Sequence, residues 1–334
     1  MDVHLYSQRN IKMKLRLIIA VFLFAPFIGF SQKDTLVKKL DSLSIKSDSL
    51  KNGPNNNNIN PKAYNDSTKL NLHNYFLLLG NDFKQQAILP FHTKRKDWLR
   101  LAEFGGVATA LSFADEPISH SAVDLRSRSN TVSSASKYIT KFGGLYEVYT
   151  LTGLAAYGFL FKNEKIKTTT LLATQSYLTA GAIQIVFKFL TARQRPGYID
   201  KITNENEPTF HGPFFNFKAG STNSMSSSFP SGHTTVAFAA ATVFAMEYRN
   251  KPLIPIISYS AATLIGLSRL TENKHWPTDI LVGAALGFLS GKQVVNNYHR
   301  FSKIKQPQQN RTRSLSFNLQ YFYGKLLPGF IYHL

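Results

Sequence analysis

The sequence predicts an all-α fold, a membrane-embedded helical bundle with about five core helices. Three observations lead there. Five apolar segments, 144–161, 168–190, 234–248, 253–267 and 279–290, are rich in Ala, Gly, Leu and Thr and almost free of charge. None shows the two-residue alternation of a half-buried strand, so each reads as a helix. Basic residues cluster in alternate connections between the segments, as they do in chains that cross a bilayer repeatedly.

The chain divides in order. Residues 1–32 read as a signal peptide or signal anchor, with Met13 as a second candidate start. Lys14 and Arg16 precede an apolar run over 17–30, and Ser31 and Gln32 follow it. A basic flank, an apolar middle and small polar residues describe a secretory signal. The run is short of the ~20 residues of a spanning helix. On this reading the remainder of the chain is exported. Residues 33–67 are polar and of low complexity, with Asn55 to Asn58 in a row between Pro54 and Pro61. Such a segment buries too little apolar surface to order itself and reads as a linker.

Residues 68–142 form a helical N-terminal accessory region. Its apolar stretch, 101–114, is short and ends at Asp115 and Glu116, and 119–141 is polar, as an exposed or amphipathic helix would be. The core spans 143–296 and contains the five apolar segments. A long polar loop, 191–228, with Pro196, Pro208 and Pro213, separates the second from the third. Residues 297–334 are a basic and then aromatic tail, whose partial alternation leaves it unassigned.

Charge placement gives the bundle an orientation. Lys162, Lys165 and Lys167 follow the first segment, Arg249 and Lys251 the third, and Lys292, Arg300, Lys303 and Lys305 the fifth. These connections share one side, which the positive-inside rule makes cytoplasmic. The connections 191–228 and 268–278 then face outward. This places the protein in a bacterial inner membrane with its outer connections toward the periplasm. A soluble periplasmic bundle is the alternative.

Composition narrows the partners. The chain of 334 residues carries 39 Lys+Arg against 19 Asp+Glu, a formal charge of +20. A balance this basic suggests an anionic partner, such as an anionic membrane or a phosphorylated substrate. No basic run is interleaved with aromatics, which argues against nucleic acid. The chain has no cysteine, which excludes disulfides, thiolate metal sites and a Cys nucleophile.

The outward connections hold nearly all the unusual polar residues. Lys188 ends the second segment and is followed, after six residues, by Arg195 and Pro196. Pro230-Ser231-Gly232-His233 opens the third segment. Ser268-Arg269 ends the fourth, with His275 after five residues and Asp279 three further on. Three cations, two histidines, a carboxylate and a helix start thus meet at one end of the bundle. A helix start presents unpaired N–H groups and the positive end of its dipole. Ser231 can cap that helix, and Gly232 lets an anion approach the backbone. Pro277 suits the first helical position and Asp279 the first turn. The loop's Arg193 is a further candidate contact for an anion.

The ordered pattern Lys-x6-Arg-Pro, Pro-Ser-Gly-His, Ser-Arg-x5-His-x3-Asp resembles the type 2 phosphatidic acid phosphatase family. That family shares its site with bacterial class A acid phosphatases and vanadium haloperoxidases. The match covers about 143–295, and every motif position is filled. The resemblance implies a helical fold of that kind and assigns roles. Lys188, Arg195 and Arg269 would bind phosphate oxygens, with Ser231 and the Gly232 N–H adding hydrogen bonds. His275 would be the nucleophile that becomes phosphohistidine. Asp279 would bond its other ring nitrogen, and His233 would protonate the leaving oxygen and later activate water. A phosphoryl group spreads charge over several oxygens, so fixed cations and N–H donors suit it, and no metal or other cofactor is expected.

The first expectation is therefore a phosphoric ester hydrolase acting on a phosphate monoester or diphosphate, with a phosphorylated lipid as substrate. Alternatives are a soluble non-specific acid phosphatase of the periplasm, a haloperoxidase with vanadate in the same pocket, and a non-catalytic protein that binds anionic lipid. The complete His-Asp pair and His233 argue against the last.

Overall fold

The computed structural model describes residues 69–197, 207–213, 215 and 227–305, with the backbone of 314–322 and 325–333. The expected signal (1–32) and linker (33–67) lie outside the described residues. The elements run α1 (Leu72–Ile88), α2 (Arg95–Ser112), α3 (Asp115–Arg128), α4 (Asn130–Ile139), α5 (Leu145–Leu160), α6 (Glu164–Thr191), α7 (Gly232–Glu247), α8 (Leu253–Thr271) and α9 (Pro277–Lys305). Short 3-10 turns occupy Leu89–His92 and Thr140–Gly143. All five apolar segments are helices, so the all-α reading holds for the bundle. The unassigned tail is the exception. Its alternation belongs to an antiparallel hairpin, β1 (Ser314–Phe322) and β2 (Lys325–His333), with Phe322 opposite Lys325.

Helix α7 is the axis of the bundle. It packs against α9, α8 and α6, and twelve of its sixteen residues are buried. A helix that is apolar and small-sided all round has no solvent face to present, so it belongs in the centre. Helix α9 reaches it through Gly283, Gly287 and Gly291, four residues apart and therefore on one stripe. A β-carbon on Gly287 would lie 2.2 Å from the Thr235 carbonyl oxygen, and one on Gly291 2.5 Å from that of Ala239. The two backbones can meet only because that stripe has no side chains. The fifth apolar segment is also longer than its sequence pattern. Helix α9 runs 29 residues, since beyond Ser290 it keeps its inward face with Val294, Val295 and Tyr298 while its outer face turns polar.

The outer helices carry apolar side chains outward. Leu145, Tyr149 and Leu160 on α5, Ile185 and Val186 on α6, and Leu253, Ile256 and Ile257 on α8 are all exposed. Among the described residues, α8 is the helix long and apolar enough to cross a membrane by length and composition.

The helix ends sort into two levels. Lys165 lies over the Tyr248 ring at 4.5 Å, and His299 meets Glu247 at 2.6 Å. The start of α6, the end of α7 and the C-terminal part of α9 therefore share one end, with its basic residues. Lys188, Gly232 and Pro277 lie at the other. The sixteen residues of α7 separate the two levels by about 24 Å at 1.5 Å per residue.

The accessory region packs onto this core. Helix α1 starts on an Asn71 cap, whose side chain accepts from Asn74 N at 2.8 Å. It is held to α9 by Asn297 Nδ2 donating to Asp82 Oδ1 at 2.6 Å and to Gln85 Oε1 at 2.7 Å. Helix α3 packs against α8 and α9 and delivers Asp115 to the interior.

Candidate active site

The last turn of α6 supplies Lys188. The helix then stops at Ala192, which takes a left-handed conformation with φ of 41°. That turn redirects the chain through Arg193, Gln194 and Arg195 toward the start of α7. Ser228 N donates to the Arg193 carbonyl at 2.9 Å, and Trp276 Nε1 donates to that of Gln194 at 2.7 Å. The three motif regions are thereby tied together through main-chain carbonyls of the redirecting turn.

Helix α7 begins at Gly232. Its first three N–H groups, on Gly232, His233 and Thr234, have no partner among the described residues; the first intrahelical bond is Thr235 N to Ser231 O at 2.9 Å. The capping expected of Ser231 is not what its hydroxyl does. It bonds the Thr234 hydroxyl at 2.8 Å, and no side chain caps the helix. Ser231 is fully buried, and its own N–H donates to the Asp279 carbonyl at 3.0 Å. The helix start is thus left with donors to offer. Gly232 faces α6 closely: a β-carbon there would sit 3.0 Å from Gln184 Oε1 and 3.5 Å from Lys188 Nζ. A cation and the positive end of a helix dipole therefore share one spot, which favours an anion.

His275 and Asp279 come from the turn after α8 and the first turn of α9. Pro277 opens α9 and Asp279 lies in its first turn, as their residue types favour. His275 is buried, and its Nδ1 meets the Ser228 carbonyl oxygen at 2.7 Å. A carbonyl can only accept, so Nδ1 carries the hydrogen, and in the neutral ring Nε2 keeps the lone pair. Nε2 makes no hydrogen bond among the described residues. Asp279 Oδ2 stands 3.6 Å from Nδ1. The bond the resemblance implied for Asp279 is thus made by a backbone carbonyl, with the carboxylate beside it. Burial pushes the His275 ring down to about 3, against the opposing pull of Asp279 and with the help of the Arg195 and Lys188 charges.

Asp279 is itself held from several sides. Trp276 N donates to Oδ2 at 2.9 Å, Ser228 Oγ donates to the same oxygen, and Arg193 Nη1 donates to Oδ1 at 2.6 Å. This corrects the reading of Arg193 as a phosphate contact. Its side chain is 1% exposed. Nη1 also bonds Thr278 Oγ1 at 2.6 Å, and Nη2 bonds Asp115 Oδ2 at 2.5 Å. A guanidinium gripped by two carboxylates and packed over the Phe210 ring at 4.7 Å has no reach toward a substrate. It sits behind Asp279 and orients it.

Asp115 is the residue that sequence reasoning missed. It accepts from Thr278 N at 3.0 Å and Thr278 Oγ1 at 2.6 Å as well as from Arg193. It therefore anchors the first turn of α9 from the accessory region, 163 residues away in sequence. Burial pushes its carboxyl above the usual range, and Arg193 and Thr278 oppose that. The one sequence signal was an Asp-Glu pair closing an apolar run. Ser228 was missed as well, one residue before the motif that was read.

His233 occupies the second position of α7 beneath the Gly143–Gly144 turn. A β-carbon on Gly143 would come within 2.9 Å of His233 Cβ, and one on Gly144 within 3.3 Å of Nε2. Arg269, Lys188 and Arg195 place positive charge around its ring. Arg269 is positioned by Thr140 Oγ1 at 2.6 Å and Glu272 Oε2 at 3.1 Å. Arg195 Nη2 donates to Ser227 Oγ at 3.1 Å. The structure thus brings Lys188, Arg195, Ser231, Gly232, His233, Arg269, His275 and Asp279 to one end of the bundle and leaves Arg193 behind them. Three cations and a helix start suit an oxyanion. Beside them lie a neutral imidazole with a free lone pair and a second imidazole, that of His233.

Part of the chain is similar to known proteins. Residues 169–303 match the model of the PAP2 superfamily. The chain is 47% identical over 66 residues to lipid A 1-phosphatase of Porphyromonas gingivalis, a match covering 20% of this chain and 15% of that protein. It is 40% identical over 73 residues to a probable diacylglycerol pyrophosphate phosphatase 1 of Schizosaccharomyces pombe, covering 18% of this chain and 26% of that protein. Both matches thus span well under half of the relative. Among solved structures, Aquifex aeolicus LpxE aligns with a TM-score of 0.39 at 23% identity, over 55% of this chain and 95% of that one. A transmembrane PAP2-type phosphatidylglycerolphosphate phosphatase from Bacillus subtilis aligns with a TM-score of 0.43 at 22% identity, over 62% and 96%.

Proposed function

We propose, from the match of residues 169–303 to the model of the PAP2 superfamily, that the protein is a metal-independent phosphatase of a lipid phosphate monoester or diphosphate. We place its active site at the periplasmic face of a bacterial inner membrane. The names of the aligned relatives, a lipid A phosphatase and a diacylglycerol pyrophosphate phosphatase, favour a lipid substrate. So do the apolar side chains that α5, α6 and α8 turn outward, since contiguous exposed apolar surface is rare on soluble monomers. The basic end of the bundle lies opposite the site, which favours the outward orientation.

The observation that carries the mechanism is the hydrogen bond from His275 Nδ1 to the Ser228 carbonyl. It leaves the Nε2 lone pair as the nucleophile. In the first step Nε2 attacks phosphorus and the P–O bond to the leaving group breaks. His233 gives its proton to the departing oxygen, and His275 holds the phosphoryl group as phosphohistidine. The adjoining Asp279 carboxylate balances the positive charge that the ring acquires. In the second step the now neutral His233 takes a proton from water. The hydroxide attacks phosphorus, the N–P bond breaks, and inorganic phosphate leaves. Lys188, Arg195, Arg269 and the α7 N–H groups hold the phosphoryl oxygens throughout, donors preorganised where charge develops.

The test is phosphate release from lipid phosphates, lipid diphosphates and water-soluble esters by the purified full-length protein in detergent. Lipid substrates should be preferred, and His275→Ala should lower turnover by on the order of a thousandfold or more. Acid-labile phosphate retained on His275 after a rapid quench should be absent from that variant. Full activity in His275→Ala would overturn the assignment.

A further inference from the structure

Helix α6 brings a second polar side chain to the start of α7, beside Lys188. Gln184 lies four residues before Lys188, one helical turn away and on the same face. Its carboxamide packs against Gly232. A β-carbon on that glycine would sit 3.3 Å from Gln184 Cδ as well as 3.5 Å from Lys188 Nζ. The glycine of the motif therefore admits two side chains, not one, to the place where the unpartnered N–H groups of α7 begin.

The two ends of the carboxamide differ. Oε1 is enclosed and has no hydrogen-bond partner among the described residues. An oxygen suits that inner position, because the positive end of the α7 dipole and the Lys188 ammonium lie beside it. Nε2 is not among the enclosed atoms, and it makes no hydrogen bond to the described residues. The two N–H groups of the side chain are thus left on its open side. Its neighbours at the helix start, Lys188 Nζ and the N–H groups of Gly232, His233 and Thr234, are donors too. A group that satisfies them together must bring several acceptor oxygens, as a phosphoryl group does.

We propose that Gln184 is a further phosphate-binding residue, and that its Nε2 donates to a phosphoryl oxygen beside Lys188. The inference rests on the phosphatase reading and adds one residue to its site. A neutral donor does there what a fourth cation would not. Arg269, Lys188 and Arg195 already place positive charge around the His233 ring. A carboxamide adds a hydrogen bond to the phosphate without adding to that charge. One turn upstream of the motif, Gln184 carries no charge that would mark it in the sequence.

The test uses inorganic phosphate as a competitive inhibitor of dioleoyl phosphatidic acid hydrolysis in mixed micelles, with wild type, Gln184→Met and Gln184→Glu. The inhibition constant is read only from molecules that fold and turn over, so a partial loss of folded protein does not enter it. Met keeps the length of the side chain and removes the donor, and it should raise the constant about tenfold. Glu also places a negative charge beside the phosphate, and at pH 8 it should raise the constant by about a hundredfold or more. A protonated carboxyl can donate in place of the carboxamide. The kcat/KM of the Glu variant relative to wild type should therefore climb by about tenfold or more from pH 8 to pH 5, while that of the Met variant relative to wild type stays level. A wild-type constant in Gln184→Met, or a deficit in Gln184→Glu that does not change with pH, would overturn the proposal and leave the phosphatase reading standing. Release of no phosphate by wild type would remove that reading, and the proposal with it.

Discussion

At the scale of single residues, the site depends on how a buried imidazole and a buried carboxylate are each held by groups that never meet substrate. Asp115 and Arg193 act only through Asp279 and Thr278. Replacing Asp115 by Asn keeps its size but removes one of the two charges that grip Arg193. The expected result is a fall in kcat of about ten- to a hundredfold with little change in KM, the usual consequence of releasing a second layer of support. Loss of KM and kcat together, or no change in either, would count against a positioning role. His275 supports a second expectation. Burial disfavours the charged ring and lowers its proton affinity to about 3. As pH falls from neutral, an ordinary histidine charges near 6.5, but this one should stay neutral with hydrogen on Nδ1 to about pH 4. Nitrogen-15 spectra of a sample labelled at histidine would show this, and a titration of His275 near 6.5 would contradict it. The residues that meet at the candidate site were legible in sequence because their types and spacings mark them. Their supports were not. Nothing in a single chain says that Asp115 will pack beside Thr278, or that the Ser228 carbonyl will choose the tautomer of His275.

At the scale of elements, the site is set by how closely α9 can approach α7. Gly287 marks the tightest point, where a β-carbon would lie 2.2 Å from a carbonyl oxygen and 2.9 Å from Ala239 N. Both neighbours are backbone in the central helix, so neither can swing aside as a flexible side chain would. Gly287→Ala should therefore force the helices apart, at a cost of about 1–3 kcal/mol for overpacking. Because Ser231 N bonds the Asp279 carbonyl across the same interface, activity should fall by more than the loss of folded protein explains. A thermal melt and a kcat measurement on the same sample check this. A variant with wild-type melting and turnover would show that the approach is not limiting. The helices themselves were legible from apolar runs without alternation. The length of α9 was not, since its second half is apolar on its inner face alone. The hairpin was not either. Its alternation is weak, with Pro328 and Gly329 inside β2, both poor strand residues.

At the scale of the whole molecule, structure and charge agree on two ends of different character. One gathers Lys165, Tyr248, Glu247 and His299, and the other gathers the proposed catalytic groups. If the bundle spans the inner membrane, this polarity fixes which end faces the periplasm, because basic connections are retained on the cytoplasmic side. The chain has no cysteine, so a single introduced thiol reports its own location without background. Lys274 is exposed in the turn before His275, and Asn250 is exposed in the turn after α7, at the opposite end. In intact cells whose outer membrane has been permeabilised, a membrane-impermeant maleimide should label Lys274→Cys and spare Asn250→Cys until the inner membrane is disrupted. Labelling of Asn250→Cys alone would invert the orientation and put the site in the cytoplasm. Equal labelling of both would show a bundle that lies free in the periplasm, and the apolar surface of α5, α6 and α8 would then need another cover. The outcome bears directly on substrate. A site at the outer rim of a spanning bundle can take the head of a lipid whose chain stays in the bilayer, whereas a free bundle must extract the lipid first.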